Sequence, residues 1–140
     1  MKNKVLIGGL IGGIAYFFLG FLIYGVLLDS YTKENCNQST ARPMEEFIWW
    51  ALILSNLFWA YLLALIFGWT NTSGLSDGAQ KGAVIGLLLA ASFNLSSYSM
   101  TTMYNTMTPL FVDMAASVVM NTIVGGIIGW YYGMGNKATE

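Results

Sequence analysis

A chain of 140 residues that is 56% hydrophobic and 9% charged lacks the surface of a water-soluble domain, in which about 25% of residues are charged. Its net charge of −1, with no basic patch, argues against nucleic acid as a partner. Histidine is absent and Cys36 is the single cysteine, which removes the commonest general base and metal ligand and any internal disulfide.

Four stretches reach the roughly 20 apolar residues that cross a bilayer. The first, residues 5–28, is uncharged and follows Lys2 and Lys4. Its apolar run is longer than the core of a secretory signal, and no small-residue cleavage site follows, so it is expected to be a retained helix. The second, residues 47–69, begins after Pro43, Glu45 and Glu46. The third covers residues 79–98. The fourth, residues 110–133, follows Thr108-Pro109, which has the look of an N-cap and a first-turn proline. The expectation is an all-α, integral membrane four-helix bundle in one domain covering residues 1–140.

Lys2, Lys4, Lys81 and Lys137 fall on one side of such a bundle, against Lys33 and Arg42 on the other. That bias predicts both termini inside. Residues 29–46 then form a long acidic outer loop, 70–78 an inner loop and 99–108 a second outer loop. Tyr24, Tyr31, Trp49, Trp50, Tyr98 and Tyr104 fit an outer aromatic belt, and Trp69, Trp130, Tyr131 and Tyr132 an inner one.

Every span carries small residues four apart. The first has Gly8–Gly12 and Gly9–Gly13, with Gly20 beyond. The second has Ala60–Ala64–Gly68, the third Gly78–Gly82–Gly86–Ala90, and the fourth Gly125–Gly129–Gly133. Lipid tails are as apolar as leucine, so helices gain little by hiding apolar surface from them. Close backbone approach and interhelical hydrogen bonds hold them together instead, and small residues permit both.

Asn56, Asn94 and Asn121 extend three of these rows. Asn56 on Asn121, with the small residues that follow, aligns the second and fourth spans, as an old duplication or chance would. At 1.5 Å per residue, Asn56 and Asn121 lie roughly 13 and 16 Å along their predicted helices. Amides at that depth need partners within the protein. The plainer expectation is a hydrogen bond between the second and fourth helices, and the sharper one a polar site for a small solute or ion. Asp113 is the one acid inside a predicted span. Intramembrane acids mark proton or cation paths, but one so near a helix start also suits the interface and the helix dipole. Met100, Met103 and Met107, with Cys36 in the other outer loop, carry the soft ligands that select copper(I). The same methionine spacing is ordinary for a helix that simply continues. The hydroxyl-rich run from Ser96 to Thr108 has no neighbouring base to activate a nucleophile.

The segments "GGIAYFFLGFLIYGVLL", "GAQKGAVIGLLLA" and "VVMNTIVGGIIGWYYG" resemble small bacterial four-helix membrane proteins grouped as domain of unknown function 1761. The resemblance implies a bacterial inner-membrane location, and no activity, cofactor or site residues come with it. Small multidrug exporters would have a glutamate in the first helix and dimeric fluoride channels an arginine after their glycine-rich start; this chain has neither. The expected function is non-enzymatic and without cofactor: a tightly packed bundle in the lipid bilayer, acting as a homo-oligomer or as an accessory subunit of a membrane complex. The alternative is a transporter or channel lined by Asn56, Asn94, Asn121 and Asp113.

Overall fold

α1 (Lys2–Gly20) runs directly into a π-helical stretch (Phe21–Leu27), closed where the Leu28 N–H donates to the Ile23 carbonyl at 2.8 Å. α2 (Asp29–Asn35) is a short surface helix, and a 3-10 turn (Met44–Glu46) leads to α3 (Trp49–Trp69). α4 (Leu75–Met100) and α5 (Met107–Met134) complete the chain. This computed structural model describes residues 2–134; Lys137, one of the charges used for orientation, lies outside them.

Four segments are long and apolar enough to span a bilayer: Asn3–Leu27, Trp49–Trp69, Leu75–Met100 and Met107–Met134. The protein is an all-α, multi-pass integral membrane protein, and four crossings put the start of α1 and the end of α5 on one side, here called the terminal side. The opposite face is the loop side.

Packing runs in the order α3, α1, α5, α4. α1 packs on both α3 and α5, α4 packs on α5, and α3 touches α5 only lightly. The two glycine rows of α1 explain its central place. A methyl at Gly8 or Gly12 would strike Tyr132 or Ile128 of α5, whereas one at Gly9 or Gly13 would strike Tyr61 or Leu57 of α3. One helix thus receives large side chains from two neighbours on adjacent faces. The buried cluster they build joins Val5 and Tyr16 of α1 with Leu63, Ala64 and Phe67 of α3 and Val124, Ile128 and Tyr132 of α5.

Three features stand out against expectation. α4 begins at Leu75 rather than 79, because polar Ser76 and Asp77 fit a first helical turn. Asp77 accepts the Ser73 N–H at 3.1 Å there and favours the positive helix end. The terminal-side connection shrinks to residues 70–74 and turns on Gly74, whose φ of +97° suits glycine. Lys81 reaches back to hold it, donating to Thr72 Oγ1 at 3.0 Å and Asp77 Oδ2 at 2.9 Å. α5 begins at Met107, so Thr108 is helical and Pro109 sits within the first turn, where a missing N–H costs nothing. Finally, the outer loop is partly structured. α2 lies within it, and an antiparallel bridge pairs Cys36 with Tyr104, tying it to the α4–α5 loop.

Candidate functional site

The side chains singled out above fall into four places. The first is the α4–α5 seam. Gly78, Gly82, Gly86, Ala90 and Asn94 are the buried residues of α4, and Gly125, Gly129 and Asn121 are buried opposite them on α5. A methyl at Gly78 would collide with the Gly125 carbonyl oxygen and stand 2.8 Å from the Gly129 Cα. One at Gly82 would collide with the Asn121 carbonyl oxygen. Backbone meets backbone here, and the Gly74 N–H donates to the Gly129 carbonyl at 2.9 Å across the seam. Gly133 continues the row beside Gly74. On α3, Ala60 and Ala64 are fully buried, and Gly68 faces Val5 of α1.

The second place is the polar end of that seam, roughly 12 Å beyond Gly86 along α4. Asn94 is 0% exposed. Its amide nitrogen donates to Asp113 Oδ2 at 2.6 Å, and its oxygen accepts the Tyr104 hydroxyl at 2.6 Å. Tyr24 stands beside Asp113 in the lining of one cavity. Among the described residues Asp113 has a neutral donor and no ion pair; the two ion pairs, Lys33–Asp29 and Lys81–Asp77, are elsewhere. A cavity of about 270 Å³ opens against it, with Tyr24, Tyr31, Cys36, Met103, Tyr104 and Asp113 among its lining. Burial, then the charge of Asp113, pushes the Cys36 thiol up from its ordinary value. Burial, then Asp113 and Cys36, pushes the Tyr104 phenol up to about 12.

The bridge shapes this cavity. The Asn37 N–H donates to the Met103 carbonyl at 2.8 Å and the Asn105 N–H to the Asn35 carbonyl at 3.2 Å, which sets Cys36 and Met103 on one wall. Met100 ends α4 at 76% exposure and Met107 begins α5 at 47% exposure. The three methionines straddle a loop and do not share a helix face, because α4 stops before Thr101.

The third place is Asn121, 1% exposed. Its Oδ1 accepts the Tyr16 hydroxyl of α1 at 2.5 Å, and its nitrogen donates to the Ser117 carbonyl at 2.8 Å. Gly86 makes room for it, since a methyl there would stand 2.5 Å from the Asn121 Cβ.

Asn56 occupies the fourth place. It donates to the Leu52 carbonyl of its own helix at 2.8 Å and lines a groove of about 320 Å³ between the π-helical stretch and α3. The expected hydrogen bond between the second and fourth spans is therefore not made. α1 lies between the two helices, and Tyr16 takes the place of Asn56 as partner of Asn121. Nor do the four polar residues share one cavity, for Asn56 and Asp113 line different ones.

Tyr16, Tyr24 and Tyr104 were not legible as members of these networks. Tyr16 carried a signal, standing four residues past Gly12 on the same face. Tyr104 and Tyr132, expected in the aromatic belts, are instead turned inward at 8% and 5% exposure. The Tyr132 hydroxyl donates to the Ala64 carbonyl at 2.8 Å, and the Lys4 ammonium to the Tyr132 carbonyl at 3.2 Å.

A family model described as "Protein of unknown function (DUF1761)" matches residues 7–129. The chain belongs to the DUF1761 family. Comparison with curated proteins and with solved structures gives no match. In this DUF1761 chain the matched segment takes in the whole loop-side cluster, the bridge and the Tyr16–Asn121 pair, and it leaves out Tyr132.

Proposed function

We propose that this DUF1761 chain is a non-enzymatic protein of the bacterial inner membrane that self-associates through the α1–α3 face, with both termini in the cytoplasm. Lys2, Lys4 and Lys81 on the terminal side favour that orientation. The small-residue rows do not supply the partner face, since each meets another helix of the same chain.

One observation carries the reading. Asn56 lies roughly 10 Å along α3 and is only half-buried. Among the described residues it has one hydrogen bond, to its own backbone. Its carbonyl oxygen and second N–H have no hydrogen bond among the described residues, and lipid offers none. A second copy brings the same amide to the same groove, and two amides facing across a two-fold axis satisfy each other. The groove, lined by Phe17, Phe21, Leu52 and Met120 beside Asn56, gives that contact an apolar surround.

Mass measurement in mild detergent tests this. The native chain is expected to run as a dimer or higher oligomer. Asn56→Leu is expected to weaken association about tenfold, since an interhelical amide contact in lipid is worth about 1–2 kcal/mol. A strictly monomeric native particle at all concentrations contradicts it.

A further inference from the structure

The loop-side cavity has a chemistry of its own, independent of whether the chain self-associates. Its one formal charge is Asp113, a carboxylate that belongs to a membrane-spanning helix and is held by a neutral donor, Asn94, with Tyr24 beside it in the lining. A carboxylate offers about four lone-pair positions, so most remain after this bond. The Asn94 amide fixes the carboxylate in place and brings no charge of its own. The remaining wall is mostly aromatic and apolar, Tyr31 and Tyr104 beside Leu28, Pro109 and Val112, with Thr32 adding one hydroxyl.

Three classes of cation differ in what they need from such a wall. A hard metal ion takes six or more oxygen ligands, and one carboxylate with a few phenols falls short of that. Copper(I) prefers thiolate and thioether. Here Cys36 is held toward its neutral thiol by burial and by Asp113, and of the three methionines near it only Met103 lines the cavity. An organic ammonium ion needs one negative charge, hydrogen-bond acceptors and aromatic faces, all of which are present. At about 270 Å³ the cavity lies at the small end of ligand pockets.

We propose that this cavity binds a small organic ammonium ion, with Asp113 as its counter-charge and Tyr24, Tyr31 and Tyr104 as its aromatic surround. Asn94 acts as a positioning residue, fixing the carboxylate to Tyr104. The ammonium group belongs either to a free solute or to a phospholipid headgroup, since the cavity lies where α4, α5 and the outer loops meet.

The test uses the full chain in nanodiscs of phosphatidylglycerol alone, with ethanolammonium chloride as the free probe and calorimetry or tyrosine fluorescence as the readout. Saturable binding is expected, with sodium chloride and the neutral isostere propanol showing none at equal concentration. Asp113→Asn is expected to weaken binding at least tenfold. Val112→Phe, which fills the cavity and leaves the charge, is expected to do the same, so a folding defect in one variant does not decide the matter. Nanodiscs containing an ethanolamine-headgroup lipid distinguish the sources. Loss of free-probe binding there assigns the site to the headgroup, and unchanged binding assigns it to a solute; either result upholds an ammonium site. No saturable ethanolammonium binding by the native chain in either lipid, equal binding of propanol, or binding retained by both folded variants overturns it. Copper(I) binding that is lost in Cys36→Ser, with no ammonium binding, overturns it as well.

Discussion

Gly82→Leu is expected to give no folded protein, and Gly82→Ala to destabilise the chain by about 3 kcal/mol, at or above the upper end of the usual cost of overpacking. The reason is what the added carbon meets. It would run into the Asn121 carbonyl oxygen and stand 3.1 Å from the Gly125 Cα. Both are backbone, so no rotamer change relieves the clash, and the two helices must separate. Separation also breaks the contacts around Gly78 and Gly86 on the same seam. The chain supplies its own controls. A methyl at Gly126 would lie 3.6 Å from the Ala79 Cβ, and one at Gly20 would meet nothing within 4 Å. Gly126→Ala and Gly20→Ala are therefore expected to leave stability unchanged or raise it, because alanine is the better helix former. Thermal unfolding in detergent, followed by helical circular dichroism, reads the three alanine variants, and the absence of a cooperative transition reads Gly82→Leu. Equal stability of Gly82→Ala and Gly126→Ala would mean that the seam is not in close contact.

Asn94→Leu is expected to cost at least about 2 kcal/mol. It removes one bond to a charged group and strands a buried hydroxyl, and each loss falls in the range of about 1–3 kcal/mol. The damage extends beyond the helix pair. Tyr104, which gives its hydroxyl to Asn94, is also the bridge partner of Cys36. Loosening it is expected to speed the reaction of Cys36 with a thiol reagent, since burial and the neighbouring charge now hold back the reactive thiolate. Ser92→Ala, on the exposed side of α4, is expected to change neither stability nor rate. An unaltered Cys36 rate in Asn94→Leu would contradict the linkage between helix seam and outer loops.

These two cases also show how far the sequence could be read. Helix number and approximate place follow from apolar length, which burial in protein does not change. The residues of one helix face follow as well: four-residue spacing puts Gly78, Gly82, Gly86, Ala90 and Asn94 together whatever lies opposite. Which helix lies opposite does not follow. Asn56 and Asn121 head the same four-residue spacing of small residues, yet one lines a lateral groove and the other is closed in by Tyr16 and Gly86. The difference is helix order, with α1 between α3 and α5, and a single chain carries no local mark of it. Tyrosines near helix ends gave the same difficulty. An amphipathic ring suits the membrane surface, but a hydroxyl also suits a buried amide or carbonyl, and Tyr104 and Tyr132 took the second course. The bridge between Cys36 and Tyr104 joins segments 68 residues apart, a separation at which no local pattern could have announced the cavity.

Cross-linking across the α4–α5 seam tests the structure most directly. The position of a Cβ at Gly126 is 3.6 Å from the Cβ of Ala79, inside the 3.5–4.5 Å window for a disulfide. In a Cys36→Ser background, Ala79→Cys with Gly126→Cys is expected to form an intramolecular disulfide rapidly under mild oxidation, and Ala83→Cys with Gly126→Cys, one turn out of register, to form little. Efficient bonding of the second pair and not the first, or bonding only between molecules, would show that these glycine faces do not meet as described.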